Sequence, residues 1–115
     1  PLMQTIVELP EFIRASEGLF SDEEKRSLIN YLAVHPQSGD LIKGTGGIRK
    51  LRWAIQGKGK SGGARVIYYY HNEIIPLFLL TAFGKNEKAN ISPAERNDLA
   101  KLANLLQKHY GDKNE

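Results

Sequence analysis

The residues best placed to do chemistry in this chain are cations. Lys43, Arg49, Lys50, Arg52, Lys58, Lys60 and Arg65 fall between Leu41 and Asn72, a stretch without a single Asp or Glu. The chain carries 16 Lys/Arg against 13 Asp/Glu for a formal net charge of +3. Outside this block nine cations therefore face thirteen acids, and the remainder of the molecule is acidic. A concentrated cationic surface on an acidic body is a footprint for a polyanion, most economically a nucleic-acid backbone.

Other chemistries fit the sequence poorly. Ala54 to Ser61 satisfies a loosened phosphate-loop pattern ending Gly59-Lys60-Ser61. That motif works only when a helix N-terminus follows and cradles the phosphates. Here Gly62-Gly63 and a β-prone run follow instead. His35, His71 and His109 stand far apart without a partner at ligand spacing, so the sequence offers neither a metal site nor a Ser/His/Asp set. Cys is absent, which removes disulfides, thiol chemistry and thiolate-bound metal. No cofactor is called for.

The elements that must position the cations can be read from pattern. The 115 residues suit one domain, and 41% apolar content suits a folded core. Thr5 to Leu9 reads as a short first strand, followed by a helix that opens at Pro10 and runs to Gly18. Ser21-Asp22-Glu23-Glu24 is a capping box; Leu28, Ile29 and Leu32 share one face of its helix, which ends at His35-Pro36. Gly39 to Gly47 reads as loop. Ile48 to Ile55, Arg65 to Tyr70 and Ile74 to Phe83 read as three strands, with Pro76 marking an edge or a bulge in the last. Ser92-Pro93-Ala94-Glu95 opens a final helix striped with Leu99, Leu102, Leu106 and Tyr110. The expected fold is α+β in the order β-α-α-β-β-β-α, with a mostly antiparallel sheet. The domain covers residues 3–110, with a polar tail over 111–115 and Pro1-Leu2 read as a tag remnant.

Strand periodicity sorts the cations. Lys50 and Arg52 lie two apart and project from one face, while Arg49, Leu51, Trp53 and Ile55 take the other. Arg65 opens the neighbouring strand, and Lys58 and Lys60 ride the glycine-rich loop between. Lys85 and Lys88 follow the last strand. If the three late strands pair as antiparallel neighbours, these groups converge on one face or rim; the bland alternative is a solvated, solubilising surface. Among Trp53, Tyr68, Tyr69, Tyr70 and Phe83 most must pack the core. Tyr69 shares parity with Arg65 and is the one expected to be exposed for base stacking.

Three spaced segments carry a family resemblance: Asp40 to Arg52 with Gly44-Thr45-Gly46-Gly47, the run from Gly57 to Tyr70, and Leu80 to Glu87. Together they resemble the RelE/HigB toxins of bacterial type II toxin–antitoxin systems, closest to the HigB branch with a glycine-rich basic loop. The resemblance implies a compact RelE-like, microbial-ribonuclease-like fold. It also implies a ribosome-dependent endoribonuclease that cleaves mRNA in the A site by attack of a ribose 2′-OH, leaving a 2′,3′-cyclic phosphate. That reaction needs a base, cations for the phosphorane charge and a proton donor for the leaving oxygen. The family does this largely with Lys and Arg.

By the same resemblance, Arg65 takes the place of the strand arginine that clamps phosphate, with Lys50, Arg52 and Lys85 as further catalytic cations. Lys58 and Lys60 rival Lys50 as the base. Lys43, Arg49, Lys58, Lys60, Asn86, Lys88 and Tyr69 are the expected RNA contacts. The sequence departs from the family in two places: Asn86 stands where others have arginine, and Ala89-Asn90-Ile91-Ser92 lacks the tyrosine that some members place there. The implied partners are mRNA on the ribosome, a cognate antitoxin and, through it, operator DNA. No membrane partner is expected and the location is cytoplasmic. Two other readings use the same patch: a non-catalytic RNA- or ribosome-binding module, and an interaction domain for an acidic protein.

Overall fold

A computed structural model of the chain describes residues 3–55 and 63–111. The elements follow the order β1 (Ile6–Glu8), α1 (Pro10–Glu17), α2 (Asp22–Val34), β2 (Asp40–Leu41), β3 (Ile48–Ile55), β4 (Gly63–Tyr69), β5 (Leu77–Gly84) and α3 (Pro93–Leu106). A π-helical turn, Gln107–Gly111, continues α3. The strands form one sheet in the order β1-β5-β4-β3-β2. Among the described strands only the β1–β5 pair is parallel.

Local chemistry accounts for the helix starts. The Ser21 hydroxyl accepts the Glu24 amide while the Glu24 carboxylate accepts the Ser21 amide, and Ser92 and Glu95 repeat the exchange. Each box satisfies two amides that a helix N-terminus otherwise leaves without partners. Helices α1 and α2 and the connection between them cover one face of the sheet, packing Phe12, Phe20, Leu28 and Leu32 on Val66, Tyr68, Leu77 and Leu79. Helix α3 covers the other through Leu99, Leu102, Ala103 and Leu106, over Ile48, Ile67, Tyr69 and Phe78. Strand β4 is buried along its length because it lies between covered faces and between two strands.

Two elements differ from the sequence reading. The expected loop over Gly39–Gly47 contains β2, whose two residues pair with Arg49 and Lys50, so the order gains a strand. A two-residue strand has too few side chains to show alternation; its pairing comes from the glycine turn behind it, where Gly44, Gly46 and Gly47 all adopt positive φ. Pro76 lies before β5 rather than within it, and β5 is a central strand, not an edge. The irregularity is instead a register shift at Ile67/Tyr68 between β4 and β5. It reverses the facing of β5, so that Phe78 and Leu80 before it and Phe83 after it all lie on the α3 side.

Candidate nucleic-acid interface

On the α3 side the sheet carries three successive cross-strand rows. Ile48, Tyr69 and Phe78 form one; Lys50, Ile67 and Thr81 the next; Arg52, Arg65 and Phe83 the third. Helix α3 and its π-turn sit on the first row, with the Tyr110 ring 5.0 Å from that of Phe78. The cations occupy the other end of the face.

Arg52 and Arg65 are directly opposite each other. Tyr70 donates its amide to the Gly47 carbonyl across the same strand pair, so the alternating ladder makes Arg52–Arg65 a position without mutual backbone bonds. Such positions bring Cα atoms to about 4.5 Å and the side chains closest together. Like charges facing each other at this range destabilise a sheet. Arg65 is only 6% exposed, and its Nη1 donates to the Ala64 carbonyl at 3.2 Å. Arg52 is exposed. The cross-strand arginine pair makes this row the candidate contact for an anionic ligand.

Lys50, one row back, donates from Nζ to Asn90 Oδ1 at 3.1 Å. This contact brings the segment between β5 and α3 over the cationic face. Lys88 of that segment sits 4.9 Å from the centre of the Phe83 ring and pairs with Glu95 Oε2. The Lys88 hydrogen bond, followed by the Ser92 amide, holds the Glu95 carboxyl below its usual value. The turn after β5 is tight: a Cβ on Gly84 would come within 2.6 Å of Asn86 Oδ1. Glu87 accepts the Gly84 amide, and the Lys85 amide reaches the Gly63 carbonyl. Lys85 and Asn86 are exposed on this rim, beside the end of β4 that carries Arg65.

The structure therefore gathers Lys50, Arg52, Arg65, Lys85, Asn86 and Lys88 around one end of the sheet. Three expected contacts fall elsewhere. Tyr69 is 1% exposed; parity puts it on the right face, but in the row that α3 covers, so its ring is core and offers no stacking platform. Arg49 is on the opposite face, and its Nη1 donates to the carbonyls of Gln37 and Gly39 at 2.9 and 2.7 Å. It braces the loop before β2. Lys43 is exposed in the β2–β3 turn, at the far end of β3 from Arg52. Lys58 and Lys60 lie outside the described residues. Sequence reasoning missed Asn90 and Glu95, which hold two of the lysines. Asn90 gives no signal in sequence, whereas Glu95 was visible as a helix cap but not as the partner of Lys88.

The fold and this cationic row define a small α+β domain that gathers arginines and lysines at one end of its sheet, Arg52 exposed and Arg65 buried. Among the described residues no group of three or more His, Cys, Asp or Glu comes together to hold a metal, and no helix is long and apolar enough to cross a membrane. The family model described as the RelE toxin of the RelE/RelB toxin–antitoxin system matches residues 22–114, and the chain belongs to that family. Its fold is similar to that of the E. coli toxin RelE, solved as a double arginine-to-alanine mutant in the free state. The two share 14% sequence identity with a TM-score of 0.59, over 87% of this chain and 96% of that one.

Proposed function

We propose that this RelE-family toxin is a ribosome-dependent endoribonuclease that cleaves translated mRNA in the A site. The ribose 2′-oxygen attacks the adjacent phosphorus as its proton passes to a base. The bond from phosphorus to the 5′-oxygen then breaks, and the leaving oxygen takes a proton. The products are a 2′,3′-cyclic phosphate and a 5′-hydroxyl, so no water is consumed in this step. Arg52 and Arg65 meet the charge that develops on the phosphorane, where fixed donors act most strongly. Lys50, held by Asn90, lies one row behind them, and Lys85 flanks them on the rim.

The observation that carries this reading is the Arg52–Arg65 pair, which puts two cations directly opposite each other across the sheet. The reaction needs no metal in this account, because charged guanidinium groups take the place of a Lewis acid. The chain acts in the cytoplasm, and a cognate antitoxin neutralises it; operator DNA binds through that antitoxin. Placement in the HigB branch rests on the glycine-rich basic loop. End-group analysis of cut mRNA tests the chemistry. A 5′-hydroxyl and a cyclic phosphate are expected, at rates that survive replacement of free divalent ions by polyamines that keep ribosomes intact. A 5′-phosphate, or activity restored only by a divalent ion, contradicts it.

A further inference from the structure

Tyr69, the aromatic expected to stack on bases, is core, but the cationic row has another aromatic neighbour. Strand β2 pairs only with Arg49 and Lys50 of β3, and the sheet order puts no strand beyond it. From Leu51 onward the outer edge of β3 therefore has no strand partner among the described residues. A groove of about 400 Å³ opens there, between β3 and α2. Leu51 and Trp53 line it from the face of β3 that α2 covers, Arg52 and Ala54 from the strand's edge, and Tyr31 and Glu24 from α2.

Its rings are set by their neighbours before any ligand arrives. The Tyr31 ring lies 5.4 Å from that of Trp53, with the planes 49° apart, and 4.8 Å from that of His35. Rings at this angle form a corner that offers a flat guest one ring face and one ring edge. Tyr31 is 39% exposed and Trp53 half-buried, so both keep open surface. Charge differs along the groove. Glu24 closes one part with a carboxylate that accepts the Ser21 amide and repels phosphate. Arg52 borders another part and faces Arg65 in the sheet ladder. A phosphate therefore belongs at the arginines, and an uncharged, flat group in the aromatic corner. A nucleotide of single-stranded RNA carries both, joined through its ribose, and an aromatic ring accepts any base because every base has a π face.

We propose that the Tyr31–Trp53 groove is a base subsite, which takes the unpaired mRNA nucleobase next to the phosphate held at Arg52 and Arg65. The inference rests on the reading of that phosphate as the scissile one and adds a contact to it. Stacking in the corner anchors one side of the bond to be broken, which is a positioning role for Trp53 and Tyr31.

Trp53 is the chain's single tryptophan, so its fluorescence reads the groove directly. The probe is a short 2′-O-methyl oligoadenylate, which 2′-oxygen attack cannot cut, compared with an abasic oligomer of the same backbone and length. Both should bind through their phosphates, but only the oligoadenylate should quench Trp53 saturably. Trp53→Leu and Tyr31→Leu, each confirmed as folded by its melt, should bind the oligoadenylate about tenfold more weakly relative to the abasic oligomer, and Trp53→Phe should recover most of that loss. A second arm fixes the source of the base. On ribosomes programmed with a message made abasic at one side of the cut or the other, loss of one of the two bases should slow wild type about tenfold more than it slows Trp53→Leu. Equal slowing of both chains at both positions makes a ribosomal RNA base the occupant and overturns the proposal. Equal quenching by the two oligomers, no quenching, or unchanged relative affinity in the folded leucine variants overturns it as well. Quenching is read without ribosomes: a chain quenched by the oligoadenylate alone yet cutting no mRNA sinks the nuclease reading and leaves a base subsite standing.

Discussion

Removing one hydroxyl should weaken this fold measurably without touching its chemistry. Tyr68 is fully buried on the α1/α2 side. Its hydroxyl accepts the Gly39 amide and donates to the Pro36 carbonyl, both at 2.8 Å. Burial raises its pKa despite the Gly39 bond, which pulls the other way. Tyr68→Phe keeps the ring in place, so no cavity opens. It leaves the Gly39 amide without that acceptor, and orphaning a buried donor costs about 1–3 kcal/mol. A loss of roughly 2 kcal/mol corresponds to a Tm lower by roughly 10 °C for a chain of this size. Urea unfolding should show the midpoint falling with an unchanged m value.

The same contact can be attacked from its other side. A Cβ on Gly39 would meet Tyr68 Cε1 at 2.8 Å, its hydroxyl oxygen at 2.9 Å and the Lys50 carbonyl at 3.1 Å. Gly39→Ala should therefore destabilise, and the double variant should lose less than the sum, because Tyr68→Phe removes one of the clashing atoms. Cleavage per folded molecule should stay within about twofold in Tyr68→Phe, because sites on opposite faces that share no partner act independently. A loss below about 0.5 kcal/mol, or strict additivity with Gly39→Ala, refutes the hydrogen-bond reasoning.

Other outcomes follow from the same geometry. Arg52→Gln relieves a like-charge cross-strand contact and should stabilise the fold by about 0.2–1 kcal/mol, while mRNA cleavage falls at least about tenfold through lost charge stabilisation; thermal melts and cleavage assays check both. Lys50→Ala should reduce the log–log salt slope of single-stranded RNA binding by about 0.7. Arg49→Ala should leave that slope alone and lower stability instead, since its guanidinium is spent on carbonyls. Glu95→Gln can keep the helix cap but loses its charge toward Lys88, a half-exposed pair worth no more than about 1 kcal/mol. Because the folded Glu95 carboxyl is held below 4.5, its value in the unfolded chain, this contribution is present above that pH and fades as pH falls through the folded value. Urea midpoints of wild type and variant should therefore differ at neutral pH and converge in acid.

Much of this was legible in sequence because the signals were local. Both capping boxes, the α3 stripe and the period-two sorting of Lys50 and Arg52 from Arg49 depend on residues a few positions apart. What escaped depends on distant segments. The burial of Tyr69 follows from where α3 lands along the strand, and parity alone cannot say which residues of a face a helix covers. Arg49 belongs to the acid-free run that suggests an RNA contact, yet its strand facing separates it from Lys50. The ties from Asn90 to Lys50 and from Glu95 to Lys88 arise when the segment after β5 folds back over the sheet. Phe83 lines up with Arg65 only because the register shift at Ile67/Tyr68 reverses β5, and nothing in its residue types marks that position.

The central claim is that the cross-strand arginines Arg52 and Arg65 catalyse cleavage of translated mRNA. Primer extension on one message, with its start codon intact or destroyed, tests it for the wild-type chain and for Arg65→Ala confirmed as folded. Cuts confined to the translated message and to wild type are expected. Wild type that leaves translated mRNA whole, or folded Arg65→Ala that cuts it as well as wild type, contradicts the account.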